Sequence, residues 1–178
     1  MKILIACEFS GRVANAFRDK GHEVYSCDLL PRKGDKFHYC GDVRDVLGQH
    51  WDMIIAHPPC TYLTKARGVC DEVKMLEAIE FFKLFLNHPC EKIVIENPMP
   101  FKRVYEFIPK PNHWYCPTHF GFNKTKFTCL WLRGLPPLMP TVYYPKSSAK
   151  SLVHSTKGSK YRSITPLEVA QAMADQWG

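Results

Sequence analysis

Apolar positions along the chain fall into short buried-type runs separated by stretches of helical periodicity. Lys2–Cys7 (KILIAC) is short, apolar and β-branched, which predicts a buried strand. A Glu8-Phe9-Ser10-Gly11 turn follows, with Ser10 a predicted helix N-cap. Helical spacing then runs through Val13, Ala14 and Phe17 over Arg12–Lys20 and stops at Gly21. Glu23–Cys27 reads as a second strand ending at Asp28, and Asp42 is assigned to a loop after Tyr39 and Cys40. Asp52–Ala56 (DMIIA) is a third strand running into His57-Pro58-Pro59-Cys60. Val73–Asn87 is the strongest helix signal, with Met75, Ala78, Ile79, Phe82 and Leu86 on one face. Lys92–Ile95 and Phe127–Leu132 are further strands, the first followed by Glu96-Asn97-Pro98. Thr141–Arg162 is polar and aperiodic and reads as a mobile basic loop. A last helix spans Thr165–Gln176, with Thr165 as N-cap, Pro166 at its first position and Glu168 three residues beyond the cap.

Strands alternating with helices predict an α/β fold, an open and mainly parallel doubly wound sheet of the Rossmann-like type. Ligands of such sheets bind at the carboxyl ends of the strands. The polar punctuation falls at those ends: Phe9-Ser10-Gly11, Asp28, Cys60 and Glu96. A length of 178 residues suits one domain over residues 1–178, with no internal repeat and with residues 141–162 as its basic loop.

Composition changes this picture in three ways. No apolar run is long enough to span a bilayer, and nothing after MKILIAC resembles a leader cleavage site, so a cytoplasmic protein with no membrane partner is expected. Eight cysteines at irregular positions, several inside strand-like runs, then read mostly as small reduced core residues. The net charge of +7 is uneven: residues 107–167 hold no Asp or Glu but carry nine Lys and Arg, leaving the rest at 15 basic against 17 acidic. Such a basic half suits a polyanion, most simply nucleic acid, although a merely solvated face would look the same.

The strand ends carry the candidate chemistry. A glycine-containing turn between strand and helix lets a ligand approach the backbone, and an acid such as Asp28 at the next strand end grips ribose hydroxyls. Together they suit an adenosine-type ligand; alone, Asp28 is equally a cap or a surface residue. Pro58 and Pro59 present Cys60 on a stiff turn, where a lowered pKa would make its thiolate a nucleophile and where His57 and Lys65 are candidates to lower it. A buried structural cysteine is the competing reading. Glu96 could protonate a ring nitrogen.

Taken together these residues resemble the C5-cytosine DNA methyltransferase family. Phe9-Ser10-Gly11 stands where that family has its first S-adenosylmethionine (SAM) motif. Asp28 matches its ribose acid, and Gly41-Asp42-Val43 looks like its third motif, whose Asp contacts the adenine amine. Pro58-Pro59-Cys60 matches the nucleophile loop and Glu96-Asn97 the pair that holds cytosine. GFNKTKFTCLWL (Gly121–Leu132) looks like the Gln-x-Arg-x-Arg segment, and RSITPLEVAQAM (Arg162–Met173) like the late Arg-x-Leu-Thr-x-x-Glu motif. The order agrees from Lys2 to Met173, and the likeness is to short phage- or prophage-encoded members in a bacterial host.

The resemblance implies SAM as cofactor, bound by Phe9, Ser10, Gly11, Asp28, Asp42 and Pro58. It implies catalysis by Cys60, Glu96, Asn97 and Lys126: Cys60 attacks C6 of a pyrimidine, and C5 takes the methyl group. In a duplex the base must first be flipped out. This sequence departs from the family in three places. Thr61 replaces the usual Gln after the nucleophile. Lys124, Lys126 and Thr128 occupy the Gln-x-Arg-x-Arg positions, so only Lys126 can bring charge to the base O2, as a point charge. Finally, only Gly134–Tyr161 stands where a target-recognition domain would be inserted.

Lys124, Lys146, Lys150, Lys157, Lys160 and Arg162 can bind phosphates but have little means of reading base edges. Single-stranded or weakly specific nucleic acid, DNA before RNA, or a free nucleotide is the expected substrate. Trp114, Tyr115, Tyr143, Tyr144 and Tyr161 could stack on bases, or could simply pack. A partner subunit could supply target recognition, and a catalytically inactive fold that binds nucleic acid or protein is the alternative of a different class. His113, Cys116, His119 and Cys129 are zinc-type ligands without the usual paired spacing, so no metal is expected.

Overall fold

The computed structural model describes residues 1–64, 71–142, 150–151 and 158–178. Three apolar runs make the centre of the sheet: β1 (Lys2–Ala6), β4 (Met53–Ala56) and β5 (Lys92–Asn97). Their side chains are buried on both faces, as parallel strands covered by helices require. β2 (Glu23–Asp28) and β3 (His38–Cys40) extend the sheet on one side, all five strands being parallel. On the other side β8 (Thr128–Arg133) runs antiparallel to β5, and β6 (His113–Tyr115) closes the edge. The strand order is β3-β2-β1-β4-β5-β8-β6. The predicted open, mainly parallel α/β sheet is therefore the fold.

Helices cover both faces. α1 (Arg12–Arg18) and α5 (Leu167–Trp177) pack Val13, Phe17, Val169, Met173 and Trp177 against Ile3, Ile5 and Ile55. α3 (Glu72–Leu86) buries Met75, Ile79, Phe82 and Phe85 against Leu4, Ile54 and Ile95. Asp71 caps α3, its carboxylate accepting from the Lys74 N–H at 3.1 Å. Here no helix is long and apolar enough to cross a membrane among the described residues.

Several sequence expectations change. Ser10 is not the N-cap of α1; Gly11 is, in a left-handed conformation (φ 71°). The Ser10 hydroxyl instead donates to Glu8 and accepts from the Arg12 N–H at 3.3 Å. Thr165 does not cap α5 either, because Pro166 holds that position and the Thr165 hydroxyl is spent on Glu96, 3.4 Å away. The short edge elements β3, α2 (Arg44–Leu47) and β6 had too few residues to show a period. Within residues 141–162, expected to be an aperiodic loop, Lys150–Ser151 (β9) pair with Lys124–Thr125 (β7), and Gly158–Ser163 form α4.

Candidate active site

Strand ends set the site, and Glu96 is its centre. It stands near the end of β5, in register with Leu130 of β8, and is 6 % exposed. His57 Nδ1 lies 3.3 Å from its Oε2 and the Thr165 hydroxyl 3.4 Å from the same oxygen. Lys126 Nζ lies 3.9 Å from Oε1, and the buried Tyr115 hydroxyl also bonds the carboxylate. Burial alone would raise the Glu96 pKa. The His57 hydrogen bond and charge, with Lys126 and Tyr115, outweigh it and hold the pKa down at about 2. Glu96 is therefore a carboxylate in the free protein, not the preformed acid that the sequence suggested.

The Cys60 loop is tied to the same strand. Asn97 Nδ2 donates to the Pro58 carbonyl at 2.8 Å, and the Cys60 carbonyl accepts from the Leu63 N–H and the Thr64 hydroxyl. Asn97 thus acts as a loop anchor, while its Oδ1 is buried without a hydrogen-bond partner. Cys60 itself is half-buried. Burial raises its thiol pKa and Glu96 adds to this, while Lys126, its own backbone N–H and Arg162 pull the other way. The net shift is upward. His57, expected to activate Cys60, is instead committed to Glu96, and Lys65 lies outside the described residues. Lys126 and Arg162 are the charged neighbours that pull the thiol pKa down, so Arg162, expected on the basic surface, also acts on this centre.

Beside it, a cleft of about 160 Å³ is lined by Cys7, Asp28, Gly41, Asp42, Pro59 and Phe81, among others. Two of the sequence-nominated acids, Asp28 and Asp42, thus meet here, with Pro59 rather than Pro58 as the proline of the wall. Asp28 accepts the Leu30 N–H at 2.8 Å. Asp42 is held low in pKa by the Arg44 N–H and by the Arg44 guanidinium, 2.7 Å away. Neither Phe9 nor Ser10 lines the cleft, and the bare Cα of Gly11 is covered by the Arg32 guanidinium, which bonds Asn15 and Asp35. Arg32 thus fills the space that a side chain at Gly11 would need.

Sequence reasoning missed Glu8, which is 5 % exposed with Oε2 buried and lacking a hydrogen-bond partner. An acid inside an otherwise apolar strand end was the available signal. It also missed Tyr115 as a site residue: among the aromatics that could stack or pack, it packs, 2 % exposed, and it bonds to Glu96. Of the basic residues, Lys124 lies over the Tyr161 ring and Lys150 is exposed beside it in the β7–β9 pair. Lys146 and Lys157 lie outside the described residues, as does the Lys160 side chain. Among the described residues no group of three His, Cys, Asp or Glu could hold a metal ion. His113 is spent on the Leu138 carbonyl at 3.0 Å.

No family model matches the chain, and no curated protein matches it in sequence. Among solved structures it is similar to one described as a DNA modification methyltransferase encoded within a prophage (E. coli). The match has a TM-score of 0.55 and 12 % identity, over 82 % of this chain and 52 % of that one. It is also matched to a mutant of Spodoptera frugiperda DNMT2, at a TM-score of 0.44 and 14 % identity over 84 % of this chain and 57 % of that one. The chain thus spans little more than half the length of either structure. At 12 % identity, the first likeness establishes a shared fold, an open and mainly parallel Rossmann-like α/β sheet.

Proposed function

We propose that this chain is a SAM-dependent methyltransferase acting on C5 of a pyrimidine, cytosine first, in nucleic acid, through a covalent Cys60 adduct. The observation that carries this reading is the convergence on one sheet edge of two sites. One is a nucleophile loop anchored by Asn97 beside a buried, multiply bonded carboxylate; the other is a cleft walled by two further carboxylates.

The residues fit the cofactor. Asp28 and Asp42 offer acceptors for hydroxyl and amine donors between the apolar walls of Val43 and Phe81. The unpartnered buried Glu8 oxygen suits a cationic donor such as the SAM ammonium. When bound, SAM supplies an electrophilic methyl group.

The protein's own groups then do the following. Cys60, once deprotonated, adds to C6 of the base and pushes an electron pair toward C5. Glu96 accepts a hydrogen bond from the N3 side. Because it is ionised, a cytosine must reach it with a proton at N3, brought from solvent or from the His57–Glu96 pair. Lys126 stands where it can neutralise charge growing on the ring. After methylation, loss of the C5 proton expels Cys60 and restores the aromatic base. Asn97 and the two prolines hold the loop so that the sulfur reaches C6.

A 5-fluoropyrimidine oligonucleotide tests this, because fluorine at C5 blocks the last step. Incubation with SAM should give a covalent protein–DNA species whose mass maps to the Cys60 peptide, absent in Cys60→Ser. An adduct on another cysteine, or none with SAM bound, overturns the mechanism.

A further inference from the structure

Four tryptophans divide sharply. Trp51, Trp131 and Trp177 are each 4 % exposed, whereas Trp114 is 49 % exposed. It sits on the edge strand β6 and stacks on Phe127, with ring centroids 5.0 Å apart and planes at 25°. Phe127 is itself 43 % exposed. His119 leans against the same indole at 5.7 Å. An exposed, nearly parallel aromatic pair is costly in water unless something covers it.

Its position says what does. Lys126, the neighbour of Phe127, turns inward to Glu96, so the platform starts one residue from the candidate catalytic centre. Tyr115, the neighbour of Trp114, likewise turns inward to Glu96. The platform lies in the segment that holds nine Lys and Arg and no acid. A π-face in so basic a segment of the chain matches a nucleic-acid strand with splayed bases, and it poorly matches a neutral or basic protein surface.

We infer that Trp114 and Phe127 form a stacking platform for bases flanking the target in single-stranded nucleic acid. This rests on the reading of Cys60 and Glu96 as a pyrimidine site, and it narrows the substrate from nucleic acid in general to an unpaired strand. A duplex keeps its π-faces inside the stack and cannot use the platform without being opened.

The probe is an oligo(dT) 12-mer, titrated into the full chain without SAM. Thymine already carries a C5 methyl group, so the result is independent of methyl transfer. The covalent trap at Cys60 tests that separately. Binding should quench the Trp emission, since Trp114 is the exposed fluorophore. Trp114→Leu and Phe127→Leu should each weaken binding by about tenfold or more, read by anisotropy of a labelled 12-mer. Their salt slope should match the wild type, because no charge is removed, whereas Lys124→Gln should flatten it. Unchanged urea midpoints certify that the variants fold. Three results would overturn the inference: no binding at low salt, wild-type affinity in both Leu variants, or tighter binding of a 12-base-pair duplex. The first of these would leave the platform to a protein partner.

Discussion

The two halves of the sheet edge are built in opposite ways. At β2 and the loop after β3, Asp28 and Asp42 are partly exposed and answer to local donors, a neighbouring N–H and Arg44. At β5, Glu96 is buried under side chains from four other segments: His57 after β4, Tyr115 of β6, Lys126 before β8 and Thr165 before α5. Exposed carboxylates can exchange water for ligand hydroxyls at small cost to the fold. A buried carboxylate with four donors is a structural joint as well as a reagent, because it ties the antiparallel edge and the C-terminal helix to the parallel core. Binding and folding are thus separable on one side and coupled on the other.

The largest expected effect comes from breaking that joint. Glu96→Ala leaves the Lys126 and His57 donors buried without their acceptor and should destabilise the protein by about 3–5 kcal/mol in urea unfolding. Glu96→Gln keeps the volume and one acceptor oxygen and should cost somewhat less. The same joint sets acid stability. The Glu96 pKa falls from 4.5 to about 2 on folding, so its contribution is full above pH 4.5 and lost as the pH drops toward 2. The shift corresponds to about 3 kcal/mol. Glu96→Gln should remove that segment of the pH–stability curve. A variant curve that parallels the wild type between pH 2 and 4.5 would break the contrast between the two halves.

On the exposed side the expectation reverses. Asp28→Ala should weaken SAM binding by about tenfold in isothermal titration, the worth of one hydrogen bond to a charged group. It should barely move the urea midpoint. Asp42→Asn should have a smaller effect on binding, because Arg44 already occupies both of its oxygens.

The legibility of the sequence follows the same division. Central strands such as KILIA and MIIA are buried on both faces, so composition alone marks them. The polar residues at their ends, Asp28, Asp42, Cys60 and Glu96, stood out against that background. Three residues of β3 and of β6 are too few to reveal a period. Contacts between distant segments were invisible for a different reason. Thr165 has every local mark of a helix cap, and only the folded chain brings it to Glu96, 69 positions away. His57 was legible as a polar residue beside Cys60, but its side chain turns to the next strand. Arg32 over Gly11 is likewise a tertiary fact.

The smallest expected effect is the most diagnostic, because it reads Cys60 through its neighbours without touching it. Lys126 lowers the Cys60 pKa and Glu96 raises it, within a net upward shift set first by burial. Lys126→Met should therefore raise the pH midpoint of Cys60 alkylation further, and Glu96→Gln should lower it. At pH 8 the iodoacetamide rate should fall by about threefold in the first variant and rise by a similar factor in the second. Peptide-resolved mass spectrometry separates Cys60 from the exposed Cys40, which serves as an internal standard because neither change should alter it. Opposite shifts at Cys60 with a constant Cys40 would mean that the thiol and the buried carboxylate share one electrostatic field, as a base lying between them requires. Equal rates in all three proteins would separate the nucleophile from the carboxylate and leave Glu96 a joint of the fold alone.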